Sequence, residues 1–287
     1  MNDFRPRRRH VYAQPGRLRL PSSNYRPARR TAFQGARHQA WQVLTKVPKI
    51  TAYFWIIKIL TTGMGEALSD FLVHRYNPYL AVLLGTAGIV AALVWQFSRE
   101  GYSVWAYWTA VAMVSVFGTM AADVLHVKLG IPYIVSSLFY AVVLTIIFAV
   151  WYASERTLSI HSIHTKRREA FYWLTVLATF ALGTATGDLT AATFHLGYFF
   201  SGVLFAVIFA IPALAYWLFR INAVFAFWFA YIITRPLGAS FADWFGVPHY
   251  LGGLNFGRGN ISLVLTALIV VFVTFLAITH RDEQAKI

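Results

Sequence analysis

The segment FWIIKILTTGMGEALSD, residues 54–70, occurs in outline three more times in this chain. The other copies are YWTAVAMVSVFGTMAAD at 107–123, YWLTVLATFALGTATGD at 172–188 and FWFAYIITRPLGASFAD at 227–243. Each copy begins with an aromatic pair ending in Trp, has Gly ten residues after that Trp, and has Asp five residues after that Gly. Recurrence at a fixed spacing indicates a duplicated structural unit. We therefore interpret the chain as four tandem repeats.

The composition favours a membrane protein. Of the 287 residues, 58% are hydrophobic and 13% are charged, whereas soluble domains carry roughly 25% charged residues. Apolar runs such as residues 80–95 and 140–151 are typical of helices that cross a lipid bilayer. The predicted fold class is all-α integral membrane. Because the chain has no cysteine, disulfides and thiolate metal sites are excluded.

The positive charge is concentrated in one segment. The net charge is +14, but residues 1–50 hold ten Arg and two Lys against one Asp, and the remainder carries 13 basic and 10 acidic residues. This distribution argues against a nucleic-acid-binding surface, so no nucleic-acid partner is expected. Residues 1–45 lack a sustained apolar pattern and are predicted to be a disordered, Arg-rich cytoplasmic arm. The arm either binds anionic lipid headgroups or serves only as a topology signal.

Eight transmembrane helices are predicted, two per repeat, within a membrane domain at 46–280. The spans lie at about 51–74, 78–98, 103–127, 131–153, 169–195, 198–219, 222–246 and 259–279. Basic residues concentrate in the arm and the even-numbered connections, which places both termini, including the tail 281–287, in the cytoplasm. Because two spans return the chain to its starting side, all four repeats have the same membrane polarity. Any pseudo-symmetry axis then lies along the membrane normal. The predicted location is multi-pass in a bacterial inner (plasma) membrane.

The repeated Trp and Gly are assigned packing roles. From Trp to Asp, each copy spans about 22 Å of helix, so the Trp lies near one face of the bilayer. The interface aromatics are Trp55, Trp108, Trp173 and Trp228. The glycines are Gly65, Gly118, Gly183 and Gly238. They allow close packing of helices or, alternatively, a local unwinding that exposes backbone carbonyl groups to an ion.

The repeated Asp is the candidate functional group. Four carboxylates lie at one depth, namely Asp70, Asp123, Asp188 and Asp243. They are expected to converge if the helices that carry them line the centre. An ionisable group inside a membrane span is costly, and by default it marks a functional site. The alternative is that each Asp caps its helix or satisfies a neighbouring backbone group. Glu66 lies four residues before Asp70 on the same helix face and is included in the candidate ion site.

Two basic residues lie well inside predicted spans. They are Lys58 and Arg235, and the nearest acids within their own helices are Glu66 and Asp243. A desolvated cation requires an acidic partner. These residues therefore either form static ion pairs that hold the bundle together or take part in coupling or gating.

A histidine follows each aspartate. The four are His74, His126, His195 and His249. The offsets of the first two put His and Asp on one helix face, which is metal-ligand spacing. The four histidines are either solvated loop residues or an external metal or proton relay.

Four tandem two-helix units, each with a Trp, resemble the bacterial membrane-protein family defined by four tandem repeats of unknown function. The segments 182–189 (LGTATGDL) and 234–240 (TRPLGAS) look typical of that family. The resemblance covers about residues 46–279 and leaves the arm outside. It implies the fold and the topology and supplies no substrate. The residue after the repeated Gly differs between copies, being Glu66, Thr119, Thr184 and Ala239, so a central site is not fourfold symmetric.

The functional hypothesis is transport of a cation, a divalent metal such as manganese, with coupling to protons. Hard oxygen ligands suit manganese, magnesium or calcium, and a bound divalent cation is the one cofactor that the site implies. No phosphate-binding loop, H-E-x-x-H or G-x-S-x-G motif is present, so no enzymatic activity is expected. The alternative is a non-transporting structural or regulatory membrane protein whose intramembrane acids are paired with Lys58 and Arg235. The sequence leaves the substrate, the direction of transport and the oligomeric state open.

Overall fold

Eight long helices account for most of the described chain. The computed structural model describes residues 45–124 and 129–283, and these residues contain no β-strand. The helices are α1 (Ala52–Arg75), α2 (Pro78–Phe97), α3 (Val104–Asp123), α4 (Tyr133–Glu155), α5 (Lys166–Asp188), α6 (Gly197–Phe219), α7 (Ala223–Gly246) and α8 (Arg258–Thr279). The prediction of an all-helical fold with eight long helices is confirmed. The arm up to residue 44, His126 and residues 284–287 lie outside the described residues.

Polar caps explain where several helices begin. The Thr51 side chain accepts a hydrogen bond from the backbone of α1, and Asn77 and Asn222 do the same for α2 and α7. Helix α5 begins three residues earlier than predicted, because Thr165 caps it and the basic residues after Thr165 form its first turn. The same helix continues beyond its last residue as a π-helical turn, Leu189–Thr193.

The helices that carry the repeated segment form a closed ring. Helix α1 packs against α3, α3 against α5, α5 against α7, and α7 against α1. We call these four the inner helices. The second helix of each repeat packs against the inner helix of the following repeat, and the cycle closes because α8 packs against α1. The described bundle therefore has fourfold pseudo-symmetry.

Burial separates the inner from the outer helices. Seven of the eight helices are long and apolar enough to cross a membrane, and α1, which carries Lys58, Glu66, Asp70 and Arg75, is the exception. Between 61% and 67% of the apolar window is buried in α3, α5 and α7, against 17% to 28% in the outer helices. The outer helices thus present the broad apolar surface of the bundle, and the inner helices form its core.

The repeated glycines set the close contact between inner helices. A Cβ atom added to Gly65 would lie 1.8 Å from Ser115 Oγ, which leaves no room for any side chain there. Each glycine contacts the residue three positions before the glycine of the next repeat. The pairs are Gly65 with Ser115, Gly118 with Phe180, Gly183 with Arg235, and Gly238 with Thr62. All four glycines lie inside continuous helices, so their role here is close packing and not unwinding.

Residues spaced four apart on the inner helices form layers across the bundle. From the amino-terminal to the carboxyl-terminal end, we name five layers, each with one residue per repeat. They are the aromatic layer (Phe54, Tyr107, Tyr172, Phe227), the lysine layer (Lys58, Val111, Val176, Tyr231), the arginine layer (Thr62, Ser115, Phe180, Arg235), the threonine layer (Glu66, Thr119, Thr184, Ala239) and the aspartate layer (Asp70, Asp123, Asp188, Asp243). A spacing of four residues keeps side chains on one face of a helix. The three middle layers are buried throughout.

Candidate functional site

The aspartate layer lines one acidic chamber at the carboxyl-terminal ends of the inner helices. The chamber has a volume of about 230 Å³. Its acidic lining residues are Glu66, Asp70, Asp123, Asp188 and Asp243. The structure therefore brings together the five acids that the sequence singles out, one or two from each repeat. Such a site offers a cation several hard oxygen ligands.

Three of these acids are close enough to share one ion. An oxygen of Glu66, one of Asp70 and one of Asp243 lie within 4.8 Å of one another. Oxygens on opposite sides of a calcium ion bound at about 2.3–2.6 Å are roughly 5 Å apart, and the smaller Mg²⁺ requires a closer approach. The triad comes from the adjacent helices α1 and α7. Asp123 and Asp188 line the chamber from α3 and α5 outside this triad.

The chamber also contains residues that the sequence reasoning missed. Arg258, the first residue of α8, places Nε 2.8 Å from Asp70 Oδ2, and its side chain is partly exposed. Tyr133 and Tyr198 also line the chamber. Each of these tyrosines lies ten residues after the aspartate of its repeat, and they are the first residue of α4 and the second residue of α6. This recurring spacing could have identified the tyrosines from the sequence. Arg258 lies at a different distance from the aspartate of its repeat, so the spacing could not have identified it.

Arg235 closes the chamber on the amino-terminal side. Its guanidinium Nη2 is bonded to Glu66 Oε2 and donates to Thr119 Oγ1 at 2.5 Å and to Thr184 Oγ1 at 2.6 Å. Arg235 is fully buried, and the side chain of Glu66 is 5% exposed. The pairing predicted within its own helix does not occur, because Arg235 binds an acid of α1 instead of Asp243.

The repeat pattern explains the position of this guanidinium. Glu66, Thr119 and Thr184 occupy the same position in the first three repeats, directly after the glycine. The fourth repeat has Ala239 there, whose methyl group leaves room at the centre of the layer. The side chain of Arg235, one turn earlier in α7, enters this layer and bonds all three polar counterparts. The group of side chains that closes the chamber is therefore asymmetric, because it contains one acid, one base and two hydroxyl groups.

Lys58 belongs to the lysine layer, which is two layers from the threonine layer toward the amino-terminal end of the inner helices. It is fully buried, and its Nζ atom has no hydrogen-bond or ion-pair partner among residues 45–124 and 129–283. The amine instead lies 4.0 Å from the ring centroid of Phe180 and 4.2 Å from that of Tyr231. A cation–π contact of this kind contributes about 2 kcal/mol or more when the ammonium group is desolvated.

The aromatic layer packs the bundle below Lys58. The Tyr107 and Tyr172 hydroxyl oxygens are 2.5 Å apart, and both rings are buried. Phe54 packs on Trp108 and on Phe227, with ring centroids 5.7 Å and 6.1 Å apart. Of the four repeated tryptophans, Trp55 is half-buried, and the other three are buried. Those three are Trp108, Trp173 and Trp228. These rings seal the end of the bundle opposite the chamber.

Polar contacts cover this sealed end. Lys46 Nζ lies 2.5 Å from Glu169 Oε2, and Gln96 Nε2 donates to Glu169 Oε1 at 3.0 Å. The Tyr102 hydroxyl donates to the carboxyl group of Asp282, which is 2% exposed. Burial raises the pKa of Asp282, and the hydrogen bond from Tyr102 acts in the opposite direction. The beginning of the predicted cytoplasmic tail is therefore packed against the bundle.

The three described histidines of the predicted relay are not brought together. His74 Nδ1 lies 2.7 Å from the backbone oxygen of Asp70, and the residue lines the chamber. His195, which has a positive φ of 56°, and His249 are exposed and do not line it. His249 Nδ1 lies 2.8 Å from the backbone oxygen of Gly253. Among the described histidines of the predicted relay, His74 alone is placed at the acids.

Comparison with known proteins identifies the repeat. The family model described as "Repeat of Unknown Function (DUF347)" matches four times, at residues 53–102, 106–157, 171–222 and 226–282. Each match covers most of one inner helix and the whole of the outer helix that follows it. The comparisons with curated proteins and with solved structures found no match. The predicted family of four tandem repeats of unknown function is thereby confirmed.

Proposed function

The chain belongs to the DUF347 repeat family, and we propose that it is a membrane transporter that moves a cation through the acidic chamber. The observation that carries this proposal is the convergence of four aspartates, one per repeat, on a single chamber with Glu66. Ionisable groups deep in an apolar helix bundle are costly, and they either pair with one another or mark an ion pathway. Among the described residues, the pairing of the chamber acids is incomplete.

Charge supports a cation as the substrate. Within residues 45–124 and 129–283, the basic side chains ion-paired with chamber acids are Arg235 with Glu66 and Arg258 with Asp70. Three of the five acids therefore have no ion-paired basic partner among these residues. Carboxylate oxygens suit a hard divalent ion, and we propose manganese as a representative substrate. Several carboxyl groups in one chamber also share protons, which allows cation movement to be coupled to proton movement.

The closed ring of inner helices supports the membrane arrangement that we propose. All eight helices cross the bilayer, with Lys58 and Glu66 of α1 buried among its neighbours and Arg75 exposed at the end of the helix. The inner helices run in one direction, so the four repeats have the same polarity and the pseudo-symmetry axis lies along the membrane normal. The chamber then opens toward the exterior of a bacterial inner membrane. Both termini lie in the cytoplasm, where the Arg-rich arm contacts anionic lipids.

A structural or regulatory protein is the second candidate. It is favoured by the network of Arg235 with Glu66, Thr119 and Thr184, which fills the centre of the bundle. A structural role accounts for the two ion-paired chamber acids, Glu66 and Asp70. It does not account for Lys58, which has no acidic partner in the described part of the chain. Transport accounts for all five acids, and we therefore favour it.

The proposal is tested by cation flux in proteoliposomes. Purified protein is reconstituted with a Mn²⁺-quenched dye inside the vesicles, and the wild type is compared with Asp→Asn variants at positions 70, 123, 188 and 243. We expect at least two of the four variants to lose about tenfold or more of the flux, which corresponds to about 1.4 kcal/mol, because each removes one charged oxygen atom from the chamber.

A matched control uses an acid outside the chamber. Glu155, which pairs with Arg168 on the opposite side of the bundle from the aspartates, is replaced by Gln. This variant should keep the wild-type flux. Unchanged flux in all four Asp→Asn variants, or no flux in the wild type with any of Mn²⁺, Mg²⁺ and Ca²⁺, would refute transport through the chamber.

A further inference from the structure

Lys58 breaks the repeat pattern in a way that packing does not require. Its counterparts in the lysine layer are Val111, Val176 and Tyr231, and all four residues have no exposed surface. An apolar side chain therefore fills this position in two of the repeats. A buried amine without a hydrogen-bond partner costs the fold stability. The second and third repeats avoid this cost with Val111 and Val176, which points to a role for the amine itself.

In the part of the chain that the structure describes, no acid pairs with the Lys58 amine. From α7 it is faced by Tyr231 and Arg235, and the guanidinium of Arg235 lies 5.6 Å from the centroid of the same Phe180 ring that contacts the Lys58 amine. The aromatic layer below contributes the phenol groups of Tyr107 and Tyr172.

On its own helix, the nearest acid is Glu66, two layers toward the chamber, and Glu66 is bound to Arg235. The charged group that shares the Phe180 ring with the Lys58 amine is thus another cation, Arg235. Like charges in a buried core repel each other more strongly than they would in water. The protonation of Lys58 is consequently linked to the position of Arg235.

We propose that Lys58 is the proton-binding residue that couples cation transport to proton transport, an inference that rests on the transport function proposed above. A cation that binds Glu66 competes with the Arg235 guanidinium for the same carboxylate. Once Arg235 is released from Glu66, its charge is no longer compensated, and it repels the Lys58 ammonium group.

Cation binding breaks one N–H bond of the Lys58 ammonium, the electron pair stays on nitrogen as a neutral amine, and the proton passes to water in the chamber, on the side from which the cation enters. When the cation leaves toward the sealed end, Glu66 binds Arg235 again and the amine regains a proton from water on that opposite side. One proton therefore crosses against one cation in each cycle, which makes the transporter an exchanger. The paired hydroxyl groups of Tyr107 and Tyr172 belong to the aromatic layer, between Lys58 and the sealed end.

A purely structural role makes a different prediction. If the Lys58 ammonium only holds Phe180 and Tyr231 by cation–π contact, then Lys58→Arg preserves the role, because a guanidinium also binds aromatic faces. If Lys58 carries the proton, the same substitution abolishes coupling, because Arg does not release its proton in proteins. The two roles are separated by proton movement and not by stability.

The test measures Mn²⁺ and proton fluxes in the same proteoliposomes. A Mn²⁺ gradient is applied without a pH gradient, and an internal pH dye reports proton movement in the wild type, Lys58→Met and Lys58→Arg. We expect Mn²⁺ entry to drive proton exit in the wild type. In Lys58→Met, Mn²⁺ should still move down its gradient, with at least tenfold less proton exit per Mn²⁺. Lys58→Arg should show the same loss of proton exit. Lys46→Met, which removes a buried lysine at the sealed end, should keep the wild-type ratio.

The outcomes separate this inference from the transport proposal. A wild-type ratio of protons to Mn²⁺ in both Lys58 variants overturns the role of Lys58 and leaves transport standing, whereas absence of Mn²⁺ flux in the wild type refutes transport itself. If Lys58→Met does not fold, proton release on Mn²⁺ binding is measured with a pH indicator in detergent. Release by the wild type and none by Lys58→Arg supports the inference, and equal release by both overturns it.

Discussion

The ion pair between Arg235 and Glu66 allows the most detailed prediction. Replacing Arg235 by Met leaves Glu66 buried without its counter-charge and removes the donor to Thr119 and Thr184. Removing one partner of a buried ion pair costs about 3–5 kcal/mol of stability. Glu66 lines the chamber and retains some access to water, so we expect a value near the lower end, about 3 kcal/mol. Glu66→Gln should cost a similar amount, because Arg235 is then the unpaired charge in a fully buried position.

The double variant distinguishes an ion pair from two independent residues. Because Glu66→Gln with Arg235→Met removes both charges, its cost should be well below the sum of the single costs, with an interaction energy of at least about 2 kcal/mol. The assay is reversible unfolding in mixed detergent micelles, followed by the fluorescence of the buried tryptophans. Thr119→Val serves as the matched control, since it removes one hydroxyl from the same network without removing a charge. Single costs that add to within about 0.5 kcal/mol in the double variant would refute the pairing.

Two further predictions concern packing and pH. Gly65→Ala should destabilise the bundle by about 1–3 kcal/mol, because its Cβ would lie 1.8 Å from Ser115 Oγ. Gly187→Ala, whose Cβ would meet no atom closer than 3.8 Å, should be neutral or stabilising by up to about 1 kcal/mol. Equal thermal stability of the two variants would contradict the close contact. Tyr102→Phe should lower the stability by roughly 1–3 kcal/mol at pH 7, because it removes a hydrogen bond that the buried Asp282 carboxylate accepts. Since this bond lowers the pKa of Asp282, the loss should shrink as the pH falls and the carboxyl group becomes protonated in both proteins. A loss that does not change with pH would contradict this account.

The repeated segment predicts much of the fold because its landmarks are local. The spacing of Trp, Gly and Asp marks one helix face in each repeat, and the apolar runs mark the outer helices. The order of the ring is not local. That α8 packs against α1, and that each glycine contacts the next inner helix, depends on contacts between residues far apart in the chain.

The candidate site also combines features that the sequence predicts with contacts that depend on the assembled bundle. The convergence of the aspartates follows from placing one at the same depth in each inner helix, and the structure brings them into one chamber. The partner of Arg235 could not be read from spacing within α7, because Glu66 reaches it across the ring. The substitution of Ala239 for a polar residue was the visible sign that the fourth repeat contributes a different group to that layer.

The positions of Arg258 and of the polar contacts at the sealed end could not be predicted from the sequence either. Arg258 is the first residue of α8 and looks like an ordinary charged loop residue, yet it lies at the chamber beside Asp70. Lys46 and Glu169 are separated by 123 positions and form a buried ion pair. Neither contact has a periodicity, so neither leaves a pattern in the sequence. Such pairs are defined only when the helices are assembled.

The most direct test of the central claim is the location of a bound cation. Crystals of the protein grown with Mn²⁺ and measured at the manganese absorption edge give an anomalous signal at each bound ion. We predict a peak inside the chamber, among the carboxylate oxygens of Glu66, Asp70 and Asp243, which already lie within 4.8 Å of one another. Signal only at acids on the surface, with no peak in the chamber at saturating Mn²⁺, would contradict the claim that these acids form a cation site.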